Sequence, residues 1–228
     1  MPANTAIEFN HVYKTYNNDK HALKNITFKI LENEFVYITG HSGAGKSTLF
    51  RLLCAQEAQT SGLIKVQQKD LSEYNLNNIH LYRKKIGILF QDFKLLNSET
   101  CFENIQLPLK IIGHMSSRQI QAKIESTCDL MQIDRALLFE YPESLSGGEQ
   151  QKIALARAII HEPQLIYADE PTGNLDKESS LNVINILKEL TQRKTTVLIA
   201  THDEVVMKNY PSRIIHLKNG ETVLDQTV

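Results

Sequence analysis

Apolar residues recur at two different periods along this chain, and the changes of period outline its architecture. Near the start, Ile7 and Phe9, with His11 as a weaker third position, alternate with polar neighbours as in a half-buried strand. Leu23, Ile26, Phe28 and Ile30 line a second strand around Asn25 and Thr27, and the polar run Tyr16–Lys20 reads as the turn between them. Phe35–Ile38, Ile86–Phe90, Leu165–Ala168 and Thr196–Ala200 are instead apolar almost without a break. Runs of that length suit strands covered on both faces, the environment inside a parallel sheet.

Helical periodicity fills the gaps. Lys46–Cys54 reads as a helix. Ile120, Ile124, Cys128 and Met131 fall close to one face at 3.6 residues per turn, with Ser116 or Ser117 placed to cap that helix. A further helix is expected from Gly148 to about His161, stopped by Pro163, and another over Ser180–Gln192 through Leu181, Ile184, Leu187 and Leu190. Near the end, Arg213–Leu217 and Thr222–Leu224 flank Asn219-Gly220, a hairpin signal. The alternation predicts an α/β fold with a mostly parallel core sheet, a β-rich edge built from the antiparallel chain ends, and a helical insertion over Phe93–Tyr141.

With 228 residues, 42% hydrophobic and 22% charged, the chain is long enough for one α/β domain with a substantial core. A net charge of -1 gives no bulk attraction to nucleic acid or to an anionic membrane. Met1–Thr5 has no basic stretch leading into an apolar core, so it does not read as a signal peptide. The apolar runs are far too short to span a bilayer, so no direct membrane insertion is expected and any membrane connection has to come through a partner. Cys54, Cys101 and Cys128 form no CxxC pair, which argues against zinc or a disulfide framework and for reduced core cysteines.

The candidate chemistry sits at strand ends. Gly40-His41-Ser42-Gly43-Ala44-Gly45-Lys46-Ser47 fits the pattern GxxxxGK[ST], with a buried strand before it and a helix, continuing through Thr48, after it. Glycines let the backbone curl so that several N–H groups point at phosphates, and the helix N-terminus adds partial positive charge. Lys46 would reach the β- and γ-phosphates, and the Ser47 hydroxyl would ligate Mg²⁺. Leu165–Ala168 runs into Asp169-Glu170, which places Asp169 to hold Mg²⁺ through water and Glu170 to polarise the attacking water as general base. Gln91 follows another buried strand, where a neutral amide can touch Mg²⁺ or the water. His202 follows a third, placed to orient the water or steady the γ-phosphate. Tyr16 lies just after the first strand, where its ring either stacks on adenine or packs against the second strand.

Leu145-Ser146-Gly147-Gly148-Glu149-Gln150 brings bare backbone N–H groups and a hydroxyl to the start of a helix, which is again an anion site. One nucleotide already has its phosphates wrapped by residues 40–47. A second site in the same chain makes sense if it serves a nucleotide bound to another copy.

In this set and order, the residues resemble the nucleotide-binding subunits of ABC transporters, over essentially the whole chain. The resemblance rests on Tyr16, the Walker A loop 40–47, Gln91, the signature 145–150, the Walker B strand ending at Asp169-Glu170, Asn174-Leu175-Asp176 and His202. It implies a P-loop NTPase fold: a RecA-like, mostly parallel core with an antiparallel β subdomain over 1–91 and 157–228, and a helical subdomain with the signature over 92–156. It also implies ATP and Mg²⁺, and a homodimer formed on ATP binding. In that dimer the signature residues Ser146, Gly147, Gly148 and Glu149 of one copy face the nucleotide of the other, and Asp176 is implied as a further nucleotide-binding residue.

Ala168–Asp176 resembles the subgroup that serves FtsX-like or MacB-like membrane proteins, and the segments Phe90–Leu96, Phe102–Ile105 and Leu107–Leu109 resemble its cell-division branch. That implies an integral membrane partner of the FtsX type at the cytoplasmic face of the inner membrane, with ATP cycling that regulates peptidoglycan hydrolases. Lipoprotein release or MacB-like export is the alternative, as is an ATP-gated clamp with little turnover. Soluble ABC ATPases of DNA repair or translation carry longer insertions or two cassettes. Phe93, Leu95, Leu96 and Phe102 are candidates for partner contact or for the core of the insertion. Glu57–Gly62 departs from the family, where a proline is common, and is expected to lie away from the chemistry. Cys101, where small apolar residues are usual, is a minor departure.

Overall fold

The computed structural model describes residues 4–16, 20–173 and 175–227. In chain order the strands are β1 (Thr5–Tyr16), β2 (Lys20–Leu31), β3 (Phe35–Thr39), β4 (Ser61–Val66), β5 (Lys69–Asp70), β6 (Ile86–Leu89), β7 (Leu165–Asp169), β8 (Thr196–Ala200), β9 (Arg213–Lys218) and β10 (Glu221–Thr227). The helices are α1 (Lys46–Leu53), α2 (Ile79–Arg83), α3 (Cys101–Ile112), α4 (Ser117–Met131), α5 (Gly147–Ile159), α6 (Lys177–Gln192) and α7 (Glu204–Asn209). The strands form a six-stranded sheet in the order β10-β9-β3-β8-β7-β6 and a four-stranded sheet in the order β2-β1-β4-β5. In the larger sheet β6, β7, β8, β3 and β9 are parallel and β10 is the antiparallel edge; the smaller sheet is antiparallel throughout.

Three of the four unbroken apolar runs, in β3, β8 and β7, sit inside the parallel sheet, while the fourth forms its edge strand β6. Every residue of β3 and β8 is buried. Their side chains still alternate, and the alternation divides two cores. Val36, Ile38, Leu165, Tyr167, Leu198 and Ala200 face the core shared with α1 and the antiparallel sheet. Tyr37, Ile166, Ala168, Val197 and Ile199 face the core shared with α3, α4, α5 and α6. A strand with one apolar face could not serve both layers.

The structure moves several expected boundaries. The chain ends do not share one β-rich edge: β1 and β2 pair with β4 and β5, while the C-terminal hairpin joins the parallel sheet through β9 and β3. His11 does not continue the alternation of β1. It is exposed with φ 49, and the register shift there turns Val12 inward. The part of the Tyr16–Lys20 turn over residues 17–19 lies outside the described residues. Residues 93–100 are not helical, and the insertion begins its helices at Cys101. The last long helix starts at Lys177 because Asp176 caps it, accepting from the Ser179 N–H. Cys54, Cys101 and Cys128 are buried free thiols, and burial pushes Cys54 up to about 12 and Cys101 up to about 11, so both are inert at neutral pH.

Candidate functional site

Parallel pairing places the chemistry. Leu89 lies opposite Ala168, Asp169 opposite Ala200, and Ile38 opposite Ala200, so β6, β7, β8 and β3 all end at one edge of the sheet. The residues that follow those ends are Gln91, Glu170, His202 and the glycine loop. Carboxyl ends of parallel strands are where open α/β sheets bind ligands.

The loop leaves β3 at Gly40 and enters α1 at Lys46, with Gly45 at the helix N-cap in a left-handed conformation (φ 112). A Cβ on Gly45 would stand 2.7 Å from Leu23 Cδ2 and 2.8 Å from the Ala22 carbonyl oxygen, so no larger residue fits. Lys46 folds back over the loop and donates from Nζ to the carbonyl oxygen of Gly40 at 2.7 Å and of His41 at 3.4 Å. Ala44 is buried beneath the loop and does not line the cavity above it.

At the cavity floor, burial pushes the Asp169 carboxyl up and the neighbouring Glu170 adds to the rise. A hydrogen bond from Ser47 and the charges of Lys46 and Arg51 offset only part of it. Glu170 takes up φ 48, donates its N–H to the Ala200 carbonyl at 2.8 Å, and brings Oε1 within 2.9 Å of His202 Nδ1. Its side chain is 12% exposed, against 77% for His202.

These residues line one cavity of about 630 Å³, which brings together Tyr16, Gly40, His41, Ser42, Gly43, Gly45, Lys46, Ser47, Thr48, Gln91, Asp169, Glu170 and His202. His21, Ala22 and Arg51 also line it and were not anticipated. Arg51 was legible in principle, because it lies four residues after Ser47 on the same helix and so shares its face. His21 and Ala22 were not, since only the pairing of β2 with β1 carries them there.

Ser146, Gly147, Gly148, Glu149 and Asp176 stand outside this cavity. Ser146 caps α5 in a reciprocal box: its Oγ accepts from the Glu149 N–H, and the Glu149 carboxylate accepts from the Ser146 N–H at 2.8 Å and from its hydroxyl at 2.6 Å. Those bonds from Ser146 hold the Glu149 carboxyl below the usual range. Asn174, between Glu170 and the Asp176 cap, lies outside the described residues.

A second feature is an apolar groove of about 520 Å³ between β6 and α3, lined by Ile86, Ile88, Phe90, Leu96, Leu107, Pro108, Ile111 and Ile112. His80, Arg83, Lys84, Lys94, Arg157, Ala158 and His161 complete its lining, which contains no carboxylate. Leu96 reaches this groove, 42% exposed. Phe93, Leu95 and Phe102 are partly buried against the core below the helices.

The ABC transporter family profile matches residues 23–173. The chain is 41% identical over 221 residues to the cell division ATP-binding protein FtsE of Bacillus subtilis, covering 97% of this chain and 96% of that protein. The chain belongs to the ABC transporter family. It is an ABC ATPase subunit of the FtsE type: FtsE of Escherichia coli K12 is 38% identical over 215 residues, covering 94% of this chain and 96% of that one. Among solved structures, a dimeric post-hydrolysis state of the ATP-binding cassette MJ0796, bound to ADP and Pi, superposes on this ABC ATPase with a TM-score of 0.91 at 33% identity, covering 97% of this chain and 98% of that one. A second dimeric MJ0796 structure gives a TM-score of 0.90 at 34% identity, with the same coverage. No helix among the described residues is long and apolar enough to cross a membrane.

Proposed function

We propose that the chain is the ATP-hydrolysing subunit of a cell-division complex and works as a head-to-tail homodimer beneath an integral membrane protein of the FtsX type. The observation that carries this reading is the separation of two anion-receiving sites. Residues 40–43 and 45–48 line the cavity with Asp169 and Glu170, while the signature residues 146–149 lie outside it. Ser146, Gly147 and Gly148 then close over the ATP of a second copy, with Asp176 at the same seam. The dimeric state of the MJ0796 cassettes supports pairing of two copies.

Within one site, Tyr16 stacks on the adenine and Lys46 leaves the Gly40 carbonyl to reach the β- and γ-phosphates. Glu170, turned toward His202, takes a proton from the water as that water attacks the γ-phosphorus. The bond from that phosphorus to the ADP oxygen breaks, releasing ADP and phosphate. His202 steadies the Glu170 carboxylate. The half-buried Asp169 carboxylate, the Ser47 hydroxyl bonded to it and the Gln91 amide at the cavity wall are all hard oxygen donors and fit Mg²⁺. Among the described residues no group of three or more His, Cys, Asp or Glu could hold a metal by itself, so the ion would share its ligands with the substrate phosphates. When bound, Mg²⁺ would neutralise charge on the β- and γ-phosphates.

The apolar groove with its cationic lining suits a membrane partner's amphipathic segment that carries carboxylates beside its apolar face. Through that partner, ATP cycling would regulate peptidoglycan hydrolases on the far side of the membrane. The test is ATPase activity of the purified chain alone and after reconstitution with the FtsX-type protein. We expect a several-fold change on adding the partner, and loss of that response in Leu96→Asp with the basal rate retained. A rate indifferent to the partner would refute the coupling.

A further inference from the structure

Glu57 was expected to lie away from the chemistry; it does not line the cavity, but it contacts two residues that do. Glu57 stands in the connection between α1 and β4, behind the wall of the nucleotide cavity rather than in it. Its Oε2 accepts a hydrogen bond from Tyr16 Oη at 2.7 Å and lies 3.2 Å from Lys14 Nζ; its Oε1 lies 3.5 Å from Arg51 Nη1. Tyr16 and Arg51 both line the cavity. Lys14 Nζ also donates to the Ala58 carbonyl at 2.8 Å and sits over the Tyr16 ring, 5.0 Å from its centroid. The Tyr16 ring is therefore held at its hydroxyl edge by Glu57 and covered on one face by Lys14. Only the opposite face is left for a stacking partner.

Electrostatics favour the same arrangement. Burial pushes the Glu57 carboxyl up, but hydrogen bonds from Tyr16 and Lys14 and the charges of Lys14 and Arg51 outweigh it and hold the carboxyl below the usual range. The Glu57 side chain is 25% exposed and that of Lys14 14% exposed, so the pair is partly shielded from solvent.

We propose that Glu57 is a positioning residue for base recognition: by accepting the Tyr16 hydroxyl and holding Lys14 against one face of the ring, it presents the other face to the purine. This rests on the reading above in which Tyr16 stacks on the base. A free tyrosine ring in the same place would have to be ordered when the nucleotide arrives; a braced one is ordered beforehand.

The test is equilibrium binding of ATP, GTP and inorganic triphosphate to the full chain and its variants, with melting temperatures to confirm folding. Glu57→Ala is expected to weaken ATP and GTP alike roughly 3- to 10-fold, the worth of one partly buried hydrogen bond, because both purines stack on the ring, and to leave triphosphate within about twofold. Glu57→Gln keeps an acceptor oxygen for the Tyr16 hydroxyl and is expected to recover most of the loss. Tyr16→Phe removes that hydroxyl alone, so the Glu57→Ala/Tyr16→Phe double variant should bind ATP no worse than Glu57→Ala. Equal weakening of ATP and triphosphate would overturn the proposal, because Glu57 would then act through the phosphate loop. If Tyr16→Ala weakens ATP while Glu57→Ala and Tyr16→Phe do not, the stacking reading stands and the role of Glu57 falls. If Tyr16→Ala leaves ATP binding unchanged, the stacking reading itself fails.

Discussion

Glu170 adopts φ 48, a left-handed conformation that costs energy for a residue with a Cβ, and its N–H donates to Ala200 on the neighbouring strand. The strand thus ends at Asp169 and the next side chain turns toward His202 instead of continuing the β alternation. Glu170→Gln preserves that shape and removes the basic oxygen. We predict ATP affinity within about twofold of the parent and turnover lower by roughly 10²- to 10⁴-fold, read as steady-state phosphate release; parent-like hydrolysis would dismiss Glu170 as the base. His161 gives a prediction in pH. Its Nε2 lies 3.2 Å from the Ile86 carbonyl oxygen, its buried Nδ1 has no partner among the described residues, and burial holds its pKa below the ordinary histidine value. The unfolded chain therefore takes up the proton more readily than the folded one. This residue's contribution is whole above the unfolded value of about 6.5 and is lost as pH falls below it toward the depressed folded value. Urea midpoints at pH 7.5 and 5.5 should fall more in the parent than in His161→Gln.

At the scale of elements, α3, α4 and α5 all begin with the same reciprocal cap: Thr100 with Glu103, Ser116 with Gln119, and Ser146 with Glu149. Thr100→Ala and Ser116→Ala should each cost about 1 kcal/mol of stability in urea titrations and leave ATP turnover alone. Ser146→Ala should cost as much and also impair turnover, because this cap belongs to the signature. Strand β6 meets α5 at Gly87, where a Cβ would stand 2.3 Å from the Ala158 carbonyl oxygen. Gly87→Ala should therefore destabilise by roughly 1–3 kcal/mol or more, measurable by thermal unfolding. The caps were only partly legible. Ser116 was a candidate from its place before a periodic run, but Asp176 was not read as a cap, so the start of α6 was set too late. β4 was missed because Ser61–Val66 carries only two buried side chains, Ile64 and Val66, and its strand character comes from pairing with β1.

Across the whole molecule, the buried strands and the polar residues at their ends were legible because one physical fact links them: a strand covered on both faces must be apolar until it emerges, and the first polar residues after it stand at the sheet edge. That logic located Gln91, Asp169, Glu170 and His202 from sequence. It could not show that Glu57 braces Tyr16, a contact between a loop and a strand that alternation does not encode. It also could not divide the candidates at the insertion, where Leu96 lines the groove while Phe93, Leu95 and Phe102 pack inward. Leu95→Asp should therefore lower the stability of the isolated chain, whereas Leu96→Asp should leave thermal unfolding nearly unchanged.

The central claim is that one copy's signature completes the other copy's nucleotide site. Multi-angle light scattering of Glu170→Gln with Mg·ATP, compared with Glu170→Gln/Ser146→Arg, tests it directly. We predict that the single variant with ATP has twice the chain mass of 26.0 kDa, while the double variant binds ATP with similar affinity and stays at the monomer mass. An ATP-bound double variant that still dimerises, or a Glu170→Gln variant that binds ATP and remains monomeric, would contradict the account.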